Sequence, residues 1–343
     1  MNGTLEREAI REPVSQRDIA RHFGVSHVTV SLALRHSRRV SASLSEEIRA
    51  HAEKVGYRSD PVLQALSAYR DRKKSGQVRG AIGWVNAWAE PGELRAHPEI
   101  ERFWRGAFAA AGERRYRLEE FRLGSELSPE RLHEVLETRN IRGLIVPPHL
   151  SADAWSGFPW EDYAVVSFGR CCHGPRGHSV LPSAAANLML AIRKLREAGH
   201  RRIGCLTGNS LLRQAGYCMV EGLSAVKRSL AGDDDFALLD LAEVGEGRIA
   251  GEVRAWVRMN GLDAILGDEA AMIASVVEAG FVIPDGVAVA TLAGDGNLGI
   301  NPGGEEIGRT AVQMLDSLME ERARGNRVLF REVAVVGMWV GEG

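Results

Sequence analysis

The stretch Gln16 to Leu34, QRDIARHFGVSHVTVSLAL, constrains this chain more than any other. Ile19, Ala20 and Phe23 recur at helical spacing, which puts them on one face of a short helix. Gly24 ends that helix, because a residue without a Cβ takes the left-handed conformation a helix end requires. Val25 plugs the turn, and Ser26 is a natural N-cap, its hydroxyl able to accept from free amides of the next turn. Val30, Ala33 and Leu34 then repeat at helical spacing, leaving His27, Val28, Thr29, Ser31, Leu32 and Arg35 on the remaining surface. Two helices joined this tightly make a helix-turn-helix, whose second helix enters the DNA major groove. An ordinary antiparallel helix pair shows the same short pattern, so this stretch alone leaves both readings open.

The residues that follow separate them. Val40-Ser41 leads into a third amphipathic helix with Leu44, Ile48, Ala52 and Val55 on one face, closed by Gly56-Tyr57. Arg58-Ser59-Asp60-Pro61 and the run VLQALSAYR come next. With Asp18-Ile19-Ala20, Gly24-Val25-Ser26, Thr29-Val30-Ser31, Val40-Ser41, Gly56-Tyr57 and Leu66 in this order and spacing, residues 15–67 resemble the DNA-binding domain and hinge of the lactose-repressor (LacI/GalR) family of bacterial transcription regulators. The resemblance implies a DNA-binding head, a hinge helix and a two-lobed effector domain. The expected layout is a flexible lead-in over 1–12, the head over 13–57, hinge helix and linker over 58–78, and an effector-binding and dimerisation domain over 79–343.

Charge agrees with that division. The chain carries a net charge of −2, but residues 1–75 hold 14 Lys and Arg against 9 Asp and Glu. A basic head on an acidic body suits a polyanion partner at one end only. Residues 1–14 are polar and mixed in charge, unlike an export signal, and no apolar run is long enough to span a bilayer. A cytoplasmic protein with reduced thiols and no membrane partner is the expectation.

From Arg79 the texture changes to alternating strands and helices. AIGWV, RLEEFRL, GLIVPP, YAVVSFG, RIGCLTG, FALLDL, DAILG and VAVATLA read as strands. Helices are expected from about Pro98 to Gly112, over SPERLHEVLETRN, over Ala184 to Ala198, across Gly216 to Leu230, around Gly251 to Met259, and over Ala270 to Ala279. Such alternation makes doubly wound parallel sheets, which bind small ligands at the carboxyl ends of their strands. About 265 residues exceed one open sheet, so an α/β body of two lobes with a cleft between them is expected behind an all-α head. This body also resembles the family's effector domain, itself similar to periplasmic sugar-binding proteins. The match rests on Gly199-His200-Arg201-Arg202-Ile203-Gly204, Arg213 with Gly216-Tyr217, Asp268, and Gly280 to Pro284. Val180-Leu181-Pro182-Ser183 departs from the family, which often has an Asp shortly after the Val.

Other motifs carry less. Gly294-Asp-Gly-Asn-Leu-Gly299 spells GxGxxG after a strand, yet a dinucleotide site needs a helix N-terminus there, and Pro302 with Gly303-Gly304 argues against one. Cys171-Cys172-His173 with His178 has poor chelate geometry, and no CxxC pair exists. Asp233-Asp234-Asp235 reads as a solvated loop, and RDRKKSG over 70–76 as a solvated connector. No catalytic motif, metal site or cofactor is nominated, so no enzyme activity is expected.

What the resemblance implies for roles follows. A twofold homodimer presents two heads to a near-palindromic operator in double-stranded DNA. Phosphate contacts fall to Ser26, Thr29, Ser31 and Arg38 or Arg39, and base contacts to His27, Val28 and Leu32. In the family the Leu32 position is often Arg, a reader of guanine; leucine cannot do that, so this operator is expected to differ from the usual ones, with compensation by Arg35 left open. Leu66 matches the hinge leucine that wedges between base pairs in the minor groove, with Asp60 and Pro61 set to start the hinge helix. In the cleft, Asn86, Trp88, Arg213, Asp268 and Asp295 are the expected contacts to a small effector, a carbohydrate, with Trp88 stacking on a sugar face. Alternatives on the same α/β fold are a solute-binding protein, which needs an export signal and no head, and an enzyme, which needs an acid–base pair or nucleophile. No heptad tail follows Val340, so nothing points beyond a dimer.

Overall fold

The structure is a computed structural model and describes residues 16–34, 40–55, 79–124, 126–149, 155–169, 177–208, 222–226, 236–269, 271–283, 286–293, 298–325 and 329–341. The chain separates into two compact units, residues 1–77 with 318–328, and residues 78–317 with 329–343. Among the described residues no helix is long and apolar enough to cross a membrane.

In the first unit, α1 (Gln16–Phe23), α2 (His27–Leu34) and α3 (Ala42–Lys54) enclose a small core of Ile19, Ala20, Val30, Ala33, Val40, Ile48 and Ala52. Helical spacing singled out all of these but Val40; Phe23, Leu34 and Leu44, singled out with them, pack against the core while partly buried, and Val55 is half-buried. The hinge and linker, with Ser59, Asp60, Pro61 and Leu66, lie outside the described residues.

The second unit contains two six-stranded sheets. Lobe 1 has β1 (Gly80–Asn86), β2 (Tyr116–Arg122), β3 (Gly143–Val146), β4 (Ala164–Phe168), β5 (His178–Pro182) and β11 (Glu332–Val335), all paired parallel in the order β11-β5-β4-β3-β1-β2. Lobe 2 has β6 (Ile203–Thr207), β7 (Ala237–Asp240), β8 (Ala264–Gly267), β9 (Ala288–Thr291), β10 (Gly299–Asn301) and β12 (Met338–Val340), in the order β12-β10-β9-β8-β6-β7. Among the described strands of lobe 2, β12 alone runs antiparallel to its neighbour. The central strands β3, β4, β6, β8 and β9 are buried throughout, as parallel strands covered on both faces must be. The helices described beyond residue 79 include α4 (Pro91–Ala96), α5 (Pro98–Glu113), α6 (Pro129–Thr138), α7 (Ala184–Glu197), α8 (Glu246–Asn260), α9 (Ala271–Glu278) and α10 (Gly304–Ala323), whose residues from Leu318 on fall in the first unit.

The lobes are tied by three crossings of the chain. After β5 the chain enters α7, whose Leu188, Ala191, Ile192 and Leu195 pack with Ile203 and Cys205 in the core of lobe 2. After β10 it enters α10, which returns to lobe 1, and between β11 and β12 it crosses once more. The crossings are bonded together: Ser183 N donates to Val335 O (2.7 Å) and Gly337 N to Asn187 Oδ1 (2.8 Å). Gly337 has no room for a side chain, since a Cβ there would lie 2.4 Å from Asn301 O.

The helix α10 corrects the sequence reading, which took Pro302-Gly303-Gly304 as evidence against a helix at that point. Asn301 Oδ1 accepts from Gly303 N (2.9 Å), Gly303 holds φ +76°, and its carbonyl accepts from Ile307 N (2.9 Å). These residues turn the chain out of β10 and so set where the helix begins. The helix then runs against α5 at backbone contact. A Cβ on Gly106 would sit 1.8 Å from Glu305 O, and one on Gly308 would sit 2.0 Å from Phe103 O. Around this seam Arg309 pairs with Glu113 (2.6 Å), and Asp316 accepts from Tyr116 Oη (2.8 Å) beside Arg79 and Arg114.

Matched glycine substitutions test the seam. Replacing a helical glycine by alanine ordinarily stabilises by up to about 1 kcal/mol. Gly251 in α8 has nothing within 4 Å of a built Cβ, so Gly251→Ala is expected to follow that rule. Gly308→Ala is expected to reverse it, costing about 1–3 kcal/mol by overpacking. Denaturant unfolding of both variants reads the two signs; stabilisation by Gly308→Ala contradicts the backbone contact.

Candidate nucleic-acid interface and effector cleft

In the head, Gly24 adopts φ +62°, and Val25 N donates to Ala20 O (3.1 Å), closing the first helix as the sequence anticipates. Ser26 caps the second: its Oγ accepts from Thr29 N (3.1 Å) and lies 2.9 Å from Thr29 Oγ1. One hydroxyl pair thus both starts α2 and stands at its exposed end. His27 beside it is exposed, whereas Leu32 is half-buried and packs against the head's core. The outward share of Leu32 is correspondingly small, and its reach toward a base edge shorter than a free side chain's. Val28 and Ser31 are residues of α2; Arg35, Arg38, Arg39 and Leu66 lie outside the described residues.

Behind the interface, His22 of α1 stacks on His51 of α3 with ring centroids 3.9 Å apart, and Phe23 meets both rings edge-on. Desolvation, then the neighbouring His22 and Lys54, hold the His51 imidazole below its ordinary pKa.

In lobe 1 the carboxyl end of β1 is built around Asn86, which is completely buried. Its Nδ2 donates to Glu120 Oε1 (2.8 Å) and its Oδ1 accepts from Trp88 N (3.1 Å). Asn86 therefore shapes the loop beneath the cleft, with both ends of its amide engaged by the protein. Trp88 is half-buried, donates from Nε1 to Pro148 O (2.9 Å), and forms one wall of a cavity of about 360 Å³ with Glu93, Ala96, His97 and Pro98. The Trp88 and His97 rings lie 6.4 Å apart. Sequence reasoning missed Glu93 and His97; the one signal was their place just after a strand end, on α4 and at the His97-Pro98 start of α5.

His149 supports the same loop from β3, its Nε2 accepting from Ala87 N (2.8 Å) while its ring meets Trp155 edge-on. Burial pushes its pKa down to about 3, only partly offset by a hydrogen bond to the Pro147 backbone. The neutral ring is required, because a protonated Nε2 cannot accept.

In lobe 2, Asp268 follows β8 and is buried. Its Oδ2 accepts from Thr207 Oγ1 and from Gly208 N (3.2 Å), joining the ends of β6 and β8. Thr291, fully buried, ends the neighbouring β9. Asp268 and Trp88 thus both sit at carboxyl strand ends, one in each lobe, where doubly wound sheets bind ligands. Arg213 and Asp295 lie outside the described residues.

A helix-turn-helix unit thus precedes a body of two doubly wound lobes. Residues 16–60 match the family model described as "Bacterial regulatory proteins, lacI family", so the head is a lacI-type DNA-binding domain. Among curated proteins no sequence matches the chain. Among solved structures, the transcriptional regulator CelR in complex with cellobiose is similar over 95% of this chain and 98% of its own, at 18% identity and TM-score 0.56. The lac repressor dimer bound to operator and the anti-inducer ONPF is similar over 96% and 98%, at 18% identity and TM-score 0.51. A periplasmic binding protein/LacI transcriptional regulator from Alkaliphilus metalliredigens QYMF, complexed with D-xylulofuranose, covers 76% of this chain and 97% of its own, at 16% identity and TM-score 0.52. These likenesses establish the two-lobed, periplasmic-binding-protein-like fold of the body.

The His149 environment yields a pH test. The folded pKa of about 3 lies below the ordinary value of 6.5, so the unfolded chain binds more protons between these values. Its contribution to stability is complete above pH 6.5 and is lost as pH falls toward 3. The loss reaches at most about 1.4 kcal/mol per pH unit. Urea unfolding between pH 7 and pH 4, a range of about three units chosen for that slope, should show a shallower pH dependence for His149→Gln than for the wild type. Equal slopes contradict the neutral, buried ring.

Proposed function

We propose that the protein is a transcription regulator, a repressor, that binds operator DNA as a homodimer and changes its operator affinity when a small carbohydrate occupies the cleft between its lobes. The observation that carries this reading is the head: a capped α2 with His27 exposed, following a Gly24 turn, in a segment matching the lacI family model. Phosphate anchoring falls to Ser26, Thr29, Ser31 and Arg39, and base reading to His27 and Val28, with Leu32 and Arg35 at the next turn. A carbohydrate is favoured by the Trp88 indole among the cavity-lining groups, and by cellobiose and D-xylulofuranose in the structurally similar proteins. Asp268, Arg213 and Asp295 would bond its hydroxyls, while Asn86 would position Trp88. The place of action is the cytoplasm, and the role requires no catalytic group.

A gel-shift assay with DNA from upstream of the protein's own gene tests this reading. A discrete shift that survives excess unrelated duplex is expected; none at micromolar protein overturns it. Calorimetry against a panel of mono- and disaccharides and nucleosides identifies the effector, and Trp88→Ala should weaken its binding at least tenfold, about 1.4 kcal/mol. Undiminished binding removes Trp88 from the site.

Leu66→Ala should weaken operator binding far more than non-specific binding. An uncharged wedge adds nothing to phosphate attraction, and its work is to hold a base step open at a cost of roughly a few kcal/mol. A DNA-bending assay should show a smaller bend for the variant. An undiminished bend returns Leu66 to packing within the hinge.

A further inference from the structure

The amino end of α5 carries an ion pair that the effector reading does not use. Glu99, in the first turn, is almost entirely buried, and its Oε1 accepts from Arg102 Nη1. The same Nη1 donates to the carbonyl of Ala293 (3.2 Å), which lies just beyond the end of β9 in lobe 2. The pair also abuts the first residue of α10: a Cβ on Gly304 would lie 2.7 Å from Arg102 Cβ and 3.2 Å from Glu99 Oε2. Directly before Glu99, His97 and Pro98 line the cavity that Trp88 walls.

We infer that Arg102, clamped by Glu99, is a positioning residue that latches the carboxyl end of β9 in lobe 2 onto the first turn of α5 in lobe 1, and so sets the relation of the lobes from beside the effector cavity. The inference rests on the ligand-responsive reading for its purpose, though the latch itself is defined by geometry alone. The chemistry suits the task. A carboxylate this buried is stable only with a cation at hand, so Glu99 fixes where the guanidinium stands. The planar guanidinium retains donors for a second acceptor after pairing, and it delivers one across the lobe boundary. Because Glu99 and Arg102 belong to the helix that begins with the cavity-lining His97-Pro98 corner, a ligand that moves this corner moves the latch. A ligand shifts a two-state arrangement only through contacts that differ between the states, and the Arg102–Ala293 bond is a contact that can be made in one and broken in the other.

Hydrogen exchange on the full chain without ligand tests the latch. Arg102→Met, made on a Glu99→Gln background so that no buried carboxylate is left without its cation, keeps the apolar stem and removes the donors. It should speed exchange of amides in residues 286–293 and 298–301 at least tenfold, leaving β1 and β6 as protected as in the wild type. Arg102→Lys, which restores a charged donor, should recover part of that protection. Wild-type exchange in Arg102→Met, or an equal loss of protection across both lobes, overturns the inference. Gel shifts on the same samples separate it from the regulator reading. Arg102→Met should change affinity for the upstream DNA at least threefold although residue 102 is not in the head, and an unchanged affinity overturns the latch as a control element. If the wild type itself fails to shift that DNA, the regulator reading falls while the exchange experiment still decides the latch.

Discussion

The body of this protein depends on the backbone contact between α5 and α10. α10 carries the chain from β10 of lobe 2 back onto lobe 1, and Gly106 and Gly308 let it lie against α5 with no side chain between them. A Cβ at either glycine would fall about 2 Å from a carbonyl oxygen, so the two helices could not keep this distance with any other residue there. The Arg309–Glu113 pair and the cluster around Asp316 line the seam but are exposed or half-exposed. Ion pairs of that kind contribute roughly 0–1 kcal/mol each, so shape at the glycines outweighs charge.

A second constraint is economy at the strand ends. The groups expected to meet a ligand are in large part already engaged by the protein. Asn86 holds Glu120 and Trp88, Asp268 holds Thr207 and Gly208, and His149 accepts from Ala87. Such bonding fixes side chains before a ligand arrives, which lowers the ordering cost of binding. Trp88 lines the cavity, and Asn86 holds its backbone in place.

Much of the fold was legible because the local signals agree with it. Buried runs such as GLIV, AVVSF and AILG had to be interior strands, and Gly24 and Ser26 marked the head's turn through backbone chemistry that needs no tertiary context. α10 was hidden for a physical reason: Pro302 and two glycines look like breakers, whereas here they form the turn that starts a helix. β5, β11 and β12 were hidden by being short segments at or near the crossings, where exposure alternates or position is set by the partner strand. In the cleft, Trp88 stood out by type and by its place after a strand. Glu93 and His97 did not, although they lie within ten residues of Trp88, and His149 reaches the same loop from a distant part of lobe 1. The Arg102 contact was beyond reach, because its acceptor is a backbone carbonyl 191 residues away.

The proposed regulator role requires that the basic head read one DNA sequence, with phosphate attraction supplying most of the remaining affinity. Fluorescence anisotropy with a labelled upstream duplex and a scrambled duplex of equal length, each at low and physiological salt, measures both terms. At least about a thousandfold preference for the upstream duplex is expected, with both affinities falling steeply as salt displaces the counterion gain. Equal affinity for the two duplexes, or binding that ignores salt, would contradict it.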